Sequence, residues 1–312
     1  MTQLPTFVCF GEVLWDVLPT GKQAGGAPMN VALHLRNLGQ QAQLISRVGT
    51  DDLGRELLDF LHDHGLSTPY VQIGQSHLTG VAKANVSDAN EVTYKIVQPV
   101  AWDYIQPDDA QTELVRQSEV FIYGSLAARS PQTGETLLGL LDVAAQSGTQ
   151  TVFDVNLRAP HYDRPTIEAL LSRANLVKLN EHELIELTDW HGYEPDLKLA
   201  MQQLYNHYQL DTLCVTLGPD GAALLDHAGY VRQGGFPVQV ADTIGSGDSF
   251  LAALLASLRA GRPTRQALEL ACATGAYVAT QHGATPSFSE DTIQAFLAAA
   301  RPLAGSLAPA IP

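Results

Sequence analysis

The sequence predicts an α/β fold: a mostly parallel central sheet with helices on both faces, plus a small separate β-sheet. Three observations lead there. Short apolar runs alternate with amphipathic stretches of helical period along most of the chain, which is the pattern of strand–helix–strand units. Gly, Pro, Asn and Asp punctuate the changes of period. One segment, 79–97, breaks the alternation with two β-like runs placed side by side.

The elements follow in order. Phe7-Val-Cys-Phe10 is a short apolar strand that runs into Gly11-Glu12 and a second strand near Trp15. A turn at Thr20-Gly21-Lys22 invites a phosphate-loop reading. That reading fails, because the motif needs Gly at 16 and Ser or Thr at 23, where the chain has Asp16 and Gln23. Pro28 suits the first turn of a helix whose Val31, Ala32, Leu35 and Leu38 share one face before Gly39. A strand over 42–48, a helix over 51–64 with Leu53, Leu57, Leu58 and Leu61 inward, and a strand over 70–73 come next. Val81, Ala84, Val86, Val92, Tyr94 and Ile96 then form a hairpin around Ser87-Asp-Ala-Asn90. Alternation resumes with strands at 120–123, 151–155, 176–178 and 213–217 and helices at 132–146, 182–187 and 197–208. An antiparallel pair is expected at 222–226 and 230–233, and a strand-like segment at Phe236, Val238 and Val240. Helices over 247–260, 264–280 and 289–300 follow, and the Pro-rich tail 302–312 reads as loosely held. The whole chain, 1–312, is read as one unit, with a discontinuous small sheet drawn from about 12–26 and 78–104.

Charge narrows the partners. Eighteen Lys and Arg stand against 33 Asp and Glu, a net charge of −15, with no basic run. Nucleic acid and anionic membrane surfaces are therefore poor partners. Cys9, Cys214 and Cys272 lie far apart in apolar segments, without the close pairs of a zinc site or disulfide framework. Free buried thiols, no apolar leader and no run of the ~18 apolar residues a membrane span needs together suggest a cytoplasmic protein.

Five stretches could carry chemistry. In Asp242-Thr-Ile-Gly-Ser-Gly-Asp-Ser-Phe250, Gly245, Ser246 and Gly247 let main-chain N–H groups approach an anion at the start of a helix. Asp248 beside that seat could take a proton, or merely open the helix. Gly25-Gly26-Ala27-Pro28-Met29-Asn30 offers close main-chain approach and an amide, or a capped helix only. Asp154-Val-Asn-Leu-Arg158 follows a strand, so Arg158 could meet phosphate. Asn180 and Glu183 have the spacing both of a capping box and of a carboxylate that orders a hydrated Mg²⁺. Thr216, Gly218 and Gly221 mark a turn at a strand end, where ligands bind in such sheets.

Taken in order and spacing, these stretches resemble the ribokinase-like carbohydrate kinases, the PfkB family, with Ser246 in place of the usual Ala. The resemblance implies ATP as co-substrate, Mg²⁺, and a small-molecule sugar as acceptor. It makes Asp248 the catalytic base and Gly245, Ser246 and Gly247 its anion cradle, with Arg158 assisting. Asp16, Gly25, Gly26 and Asn30 would hold the sugar. Thr216, Gly218, Gly221, Gly245 and Gly247 would line the nucleotide, with Gly283-Ala-Thr-Pro286 near the adenine. Asn180 and Glu183 would organise Mg²⁺ through water, and the carbonyls of Asp242 and Ile244 could serve a monovalent cation such as K⁺. By the same resemblance the small sheet from about 12–26 and 78–104 is the lid, which would close over the sugar and could join two copies as a homodimer. Within the family the sequence is most similar to fructokinases, with ketodeoxygluconate kinases second and a non-catalytic sensing relative a further alternative. Charge favours a neutral hexose: the lid segments hold Lys22, Lys83 and Lys95 but no Arg, and Gln98-Pro-Val-Ala-Trp-Asp103 is expected to offer apolar surface and an acid.

Overall fold

A computed structural model describes residues 7–18, 21–86, 92–193 and 196–300. The hairpin turn expected at 87–90 and the tail from 302 lie outside the described residues. In chain order the elements begin β1 Phe7–Phe10, β2 Leu14–Leu18, β3 Gly21–Gly25, α1 Ala27–Asn37, β4 Ala42–Gly49, α2 Asp52–Asp63, β5 Val71–Gly74, β6 Gly80–Val86 and β7 Val92–Ile96. Next come α3 Asp109–Gln117, β8 Val120–Gly124, α4 Pro131–Ser147, β9 Gln150–Asp154, α5 Arg164–Leu171, β10 Leu176–Asn180, α6 Glu181–His191 and α7 Leu197–Tyr208. The chain then forms β11 Thr212–Thr216, β12 Ala222–Asp226, β13 Gly229–Gln233, α8 Ser246–Arg259, α9 Thr264–Ala279 and α10 Glu290–Ala299.

Nine strands form one sheet in the order β13-β12-β11-β10-β9-β8-β1-β4-β5. Its pairings are parallel except for β11–β12 and β12–β13. Side chains alternate across it with period two. Phe7 and Cys9 of β1 join a core shared with α1, α8 and α9, whereas Val8 and Phe10 join the core under α3 to α7. Burial on both faces explains why the central strands read as unbroken apolar runs. The helices terminate as their sequences dictate: Asp51, Asp108, Asp163 and Asp196 each accept a first-turn N–H as N-cap.

The second sheet has four strands, β3-β2-β6-β7. β2 pairs with β3 antiparallel and with β6 parallel, and β6 pairs with β7 as the expected hairpin. Trp15 anchors it to the body: its indole N–H donates to Leu53 O of α2 at 2.9 Å, and its ring meets Phe60 edge-on.

Four expectations need correction. β3 forms a strand over Gly21–Gly25, where only a turn at 20–22 was expected. The alternation Phe236, Val238, Val240 is not a strand; Pro237 has no N–H to give a ladder, and these side chains line a cleft instead. Helices α3 and α5 were missed, because few of their residues face inward: Gln111, Leu114 and Val115 in one, Ile167, Leu170 and Leu171 in the other. Finally, 98–103 does not present apolar surface and an acid to a ligand. Trp102 is fully buried, and Asp103 is paired with Arg129 through Nε at 2.7 Å and Nη2 at 2.9 Å, both side chains being buried. That end of the proposed lid segment is part of the body.

Candidate active site

The carboxyl ends of β1, β9, β10 and β11 meet the start of α8, and the candidate residues gather there. Gly245 is the N-cap of α8 with φ of 77°, and a Cβ on it would stand 2.1 Å from Ala284 O. Only Gly fits that crossing. Ser246 N–H turns back to Thr243 O at 3.2 Å, and Ser249 N–H to Gly245 O at 2.9 Å. Between them the N–H groups of Gly247 and Asp248 have no main-chain acceptor among the described residues. The open donors of the cradle are therefore these two, at the positive end of the helix dipole, and Ser246 contributes structure. Its hydroxyl donates to Gly275 O of α9 at 2.9 Å, a tie that the usual Ala could not make.

Asp248 is half-buried, and its Oδ2 accepts from Asn30 Nδ2 at 2.8 Å. Burial raises its pKa to about 6, helped by the nearby Asp154 charge and opposed by Asn30, Lys178 and Arg158. The carboxylate is thus a usable base near neutral pH. Asn30 is buried, and its Oδ1 has no partner, leaving an acceptor for a ligand hydroxyl. Asp16 lies over Gly25, where a Cβ would be 2.3 Å from Asp16 Oδ2. Burial raises the Asp16 pKa to about 6, with Arg158 opposing. Gly26 has φ of 119°, and a Cβ there would collide with Glu12 O at 2.4 Å. Gly26 is therefore fixed by main-chain geometry, and Gly25 by the present place of the Asp16 carboxylate.

Two groups were missed from the sequence. Lys178, in the middle of β10, pairs with Asp154 Oδ1 at 3.0 Å, and both are buried. A Cβ on Gly247 would stand 3.3 Å from Lys178 Nζ, so this ammonium borders the cradle. Burial works against its charge, but Asp154, Glu183 and Asp248 outweigh that and hold its pKa above the ordinary value. The available signal was a lone cation inside the apolar run Leu176-Val-Lys-Leu. Glu12 is the other: buried, with Oε1 accepting from Ala27 N at 3.2 Å and Oε2 unpartnered. Burial lifts its pKa to about 7.

Asn180 and Glu183 form the capping box in full. Asn180 Oδ1 accepts from Glu183 N at 3.0 Å, and Glu183 Oε2 from Asn180 N at 2.8 Å. Glu183 Oε1 also accepts from Leu157 N at 2.8 Å, which fixes the loop that carries Arg158. Arg158 itself is exposed and, among the described residues, donates to Leu157 O at 3.0 Å, yet its charge is felt at Glu12, Asp16 and Asp248. Among the described residues no three His, Cys, Asp or Glu side chains converge as metal ligands. The unpartnered Asp154 Oδ2 and the carboxylate of Glu183 are hard oxygen donors that suit a cation keeping most of its waters, as Mg²⁺ does. Asp242 spends its carboxylate on Ile244 N at 3.0 Å and Gly283 N at 3.3 Å, joining the two loops beside Gly245.

Next to the cradle a cleft of about 480 Å³ is lined by Thr216, Gly218, Gly221, Val238, Gly247 and Ala276, among others. It places Thr216, Gly218, Gly221 and Gly247 around one cavity with mostly apolar walls, the form of a nucleotide site. Residues 283–286 are not in its lining; the Ala284 carbonyl lies against Gly245 instead.

Two open N–H donors at a helix mouth, a carboxylate of raised pKa beside them and an adjoining apolar cleft are parts that phosphoryl transfer needs. The chain belongs to the pfkB family of carbohydrate kinases, whose model matches residues 6–291. It is similar to a probable fructokinase-7 of Arabidopsis thaliana, 30% identical over 94% of this chain and 93% of that one. Among solved structures, a fructokinase from Xylella fastidiosa with bound ATP has the same fold, with a TM-score of 0.84 at 23% identity, covering 94% of this chain and 98% of that one. A double-mutant fructokinase from Vibrio cholerae, solved with fructose, ADP and potassium, gives a TM-score of 0.82 at 24% identity, with 94% and 98% covered. No helix among the described residues is long and apolar enough to cross a membrane.

Proposed function

We propose that this kinase transfers the γ-phosphoryl group of ATP to a primary hydroxyl of a neutral hexose, fructose first. The observation that carries the reading is the bond from Asn30 Nδ2 to Asp248 Oδ2, which supports Asp248 as a base shared between α1 and the N-terminus of α8. The sugar hydroxyls are held by Asp16 and the free Oδ1 of Asn30, with Gly25 and Gly26 allowing close approach. Asp248 takes the proton of the attacking hydroxyl. The N–H groups of Gly247 and Asp248 and the ammonium of Lys178 stabilise charge on the transferred group, with Arg158 closing from the exposed side. Asp154, Asn180 and Glu183 would hold Mg²⁺ through water, where it supplies charge neutralisation of the nucleotide phosphates. Carbonyls of Asp242 and Ile244 are offered to a monovalent cation such as K⁺. The four-stranded sheet acts as the lid that excludes water, and it is the surface through which two copies would meet.

The lid register supports a neutral sugar. Directly paired residues share a face of a sheet. Val17, Lys22, Lys83 and Lys95 are linked in this way, whereas Asp16 is paired with Gln23 and Ala82. All three lysines therefore project from the face opposite Asp16, and Lys22 pairs with Glu56 of α2. A sugar carboxylate beside Asp16 would meet no lid cation, and desolvating it unpaired is costly. Phosphorus and proton NMR of the product of ATP and fructose tests the reading. A phosphate ester on a primary carbon is expected; ADP and free phosphate without an ester would refute it.

A further inference from the structure

His34 is a buried side chain that the mechanism above does not use. It lies on α1 four residues after Asn30, on the same face, and is fully buried. Its Nε2 meets Ala284 O at 3.0 Å, and its ring stacks on Phe288 with centroids 5.5 Å apart. A carbonyl only accepts, so Nε2 carries the proton, and Nδ1 is left buried without a partner. Burial lowers the pKa to about 4, so the ring is neutral across the physiological range.

The acceptor is what gives this bond a consequence. The same Ala284 carbonyl packs against the α-carbon of Gly245, where a Cβ would stand 2.1 Å from Ala284 O. Gly245 opens α8 in the left-handed region and aims the first N–H groups of the cradle. One turn further along α1, Asn37 Nδ2 donates to Pro286 O at 3.1 Å, so the same helix face grips the 284–286 loop twice. Asn30, at the start of that face, holds the base itself.

We propose that His34 is a positioning residue: by holding the Ala284 carbonyl against Gly245 it sets the phosphate cradle from the helix that carries the sugar. The proposal rests on the kinase reading above. It links the two substrate sites through one bond, so displacing that carbonyl moves the cradle while leaving Asp16 and Gly25 in place. Losing the donor should act on the nucleotide side and on turnover, since small displacements of reacting groups cost rate steeply.

The test compares the parent with His34→Phe, which keeps a stacking ring and removes the donor, and His34→Gln, which restores an N–H at similar reach. Asn37→Leu is the control for a grip further from Gly245. The Phe variant should lose about tenfold or more in kcat, bind ADP at least about fivefold more weakly, and keep its fructose KM within about twofold. The Gln variant should recover most of both losses, and Asn37→Leu should change Tm with little change in kcat. Nitrogen-15 NMR of the parent adds a readout that needs no variant. One histidine should remain an Nε2–H tautomer from pH 5.5 to 8 and shift on adding ADP. The proposal is overturned if the Phe variant turns over within twofold of the parent, if Gln and Phe are equally impaired at equal Tm, or if no such non-titrating histidine responds to ADP. A parent with no sugar-dependent ADP release would sink the kinase reading instead, and the ADP affinities would still decide the role of His34.

Discussion

Asp248 is held in two opposing ways: burial and Asp154 push its proton affinity up, while Asn30, Lys178 and Arg158 favour its charge. Because the resulting pKa is about 6 against an ordinary 3.8, the ionised form costs the fold stability. That cost is absent below about pH 4 and fully present above the folded pKa. Two expectations follow for Asp248→Asn. Turnover should fall by about 10²–10⁴, with sugar affinity little changed, and Tm at pH 7.5 should equal or exceed that of the parent, with the difference fading as pH falls. Parent activity should drop as pH falls through about 6, when the base becomes protonated. A mutant with half the parent's turnover would remove Asp248 from the role of base. Gly25→Ala tests the sugar side, since its Cβ would sit 2.3 Å from Asp16 Oδ2 and drive that carboxylate away. Fructose KM should rise about tenfold with kcat within about threefold; an unchanged KM would take Asp16 out of the sugar site.

At the scale of elements, α6 serves two ends at once. The capping box of Asn180 and Glu183 closes its first turn, and Glu183 Oε1 pins the loop at Leu157. Glu183→Gln places an amide against one main-chain donor, and about 1–2 kcal/mol of stability should be lost. If the pair also orders Mg²⁺, the metal concentration for half-maximal rate should rise several-fold. A melting loss with an unmoved Mg²⁺ curve would leave the cap as its whole role. Much of this was legible in the sequence because local chemistry sets it: the Asn180-x-x-Glu183 spacing and the Gly-rich mouth of α8. What was not legible depends on long-range contact. Lys178 reads as one polar residue in an apolar strand until β9 brings Asp154 beside it, and His34 reads as a helix residue until Ala284 arrives from 250 positions away. The apolar alternation at 236–240 misleads because side chains lining a ligand cleft alternate much as those of a strand do.

For the whole molecule, periodicity gave the large sheet well, since strands buried on both faces cannot carry polar residues freely. The small sheet was foreseen as a hairpin beside the Trp15 strand, but which face carries which charge depends on register, and a shift of one residue would reverse it. Register is what turns the three lysines of the small sheet from a possible anion site into a face turned away from Asp16. On the proposed reading Asp16 meets a neutral sugar, which needs no cation on that face. The most direct test of the account is the ratio of kcat/KM for fructose to that for ketodeoxygluconate, measured with MgATP on the parent enzyme. The account predicts a ratio of at least about 10, equivalent to about 1.4 kcal/mol of transition-state preference. Equal or better use of the sugar acid would contradict it, and would mean that Arg158 or a lid lysine meets the substrate carboxylate after all.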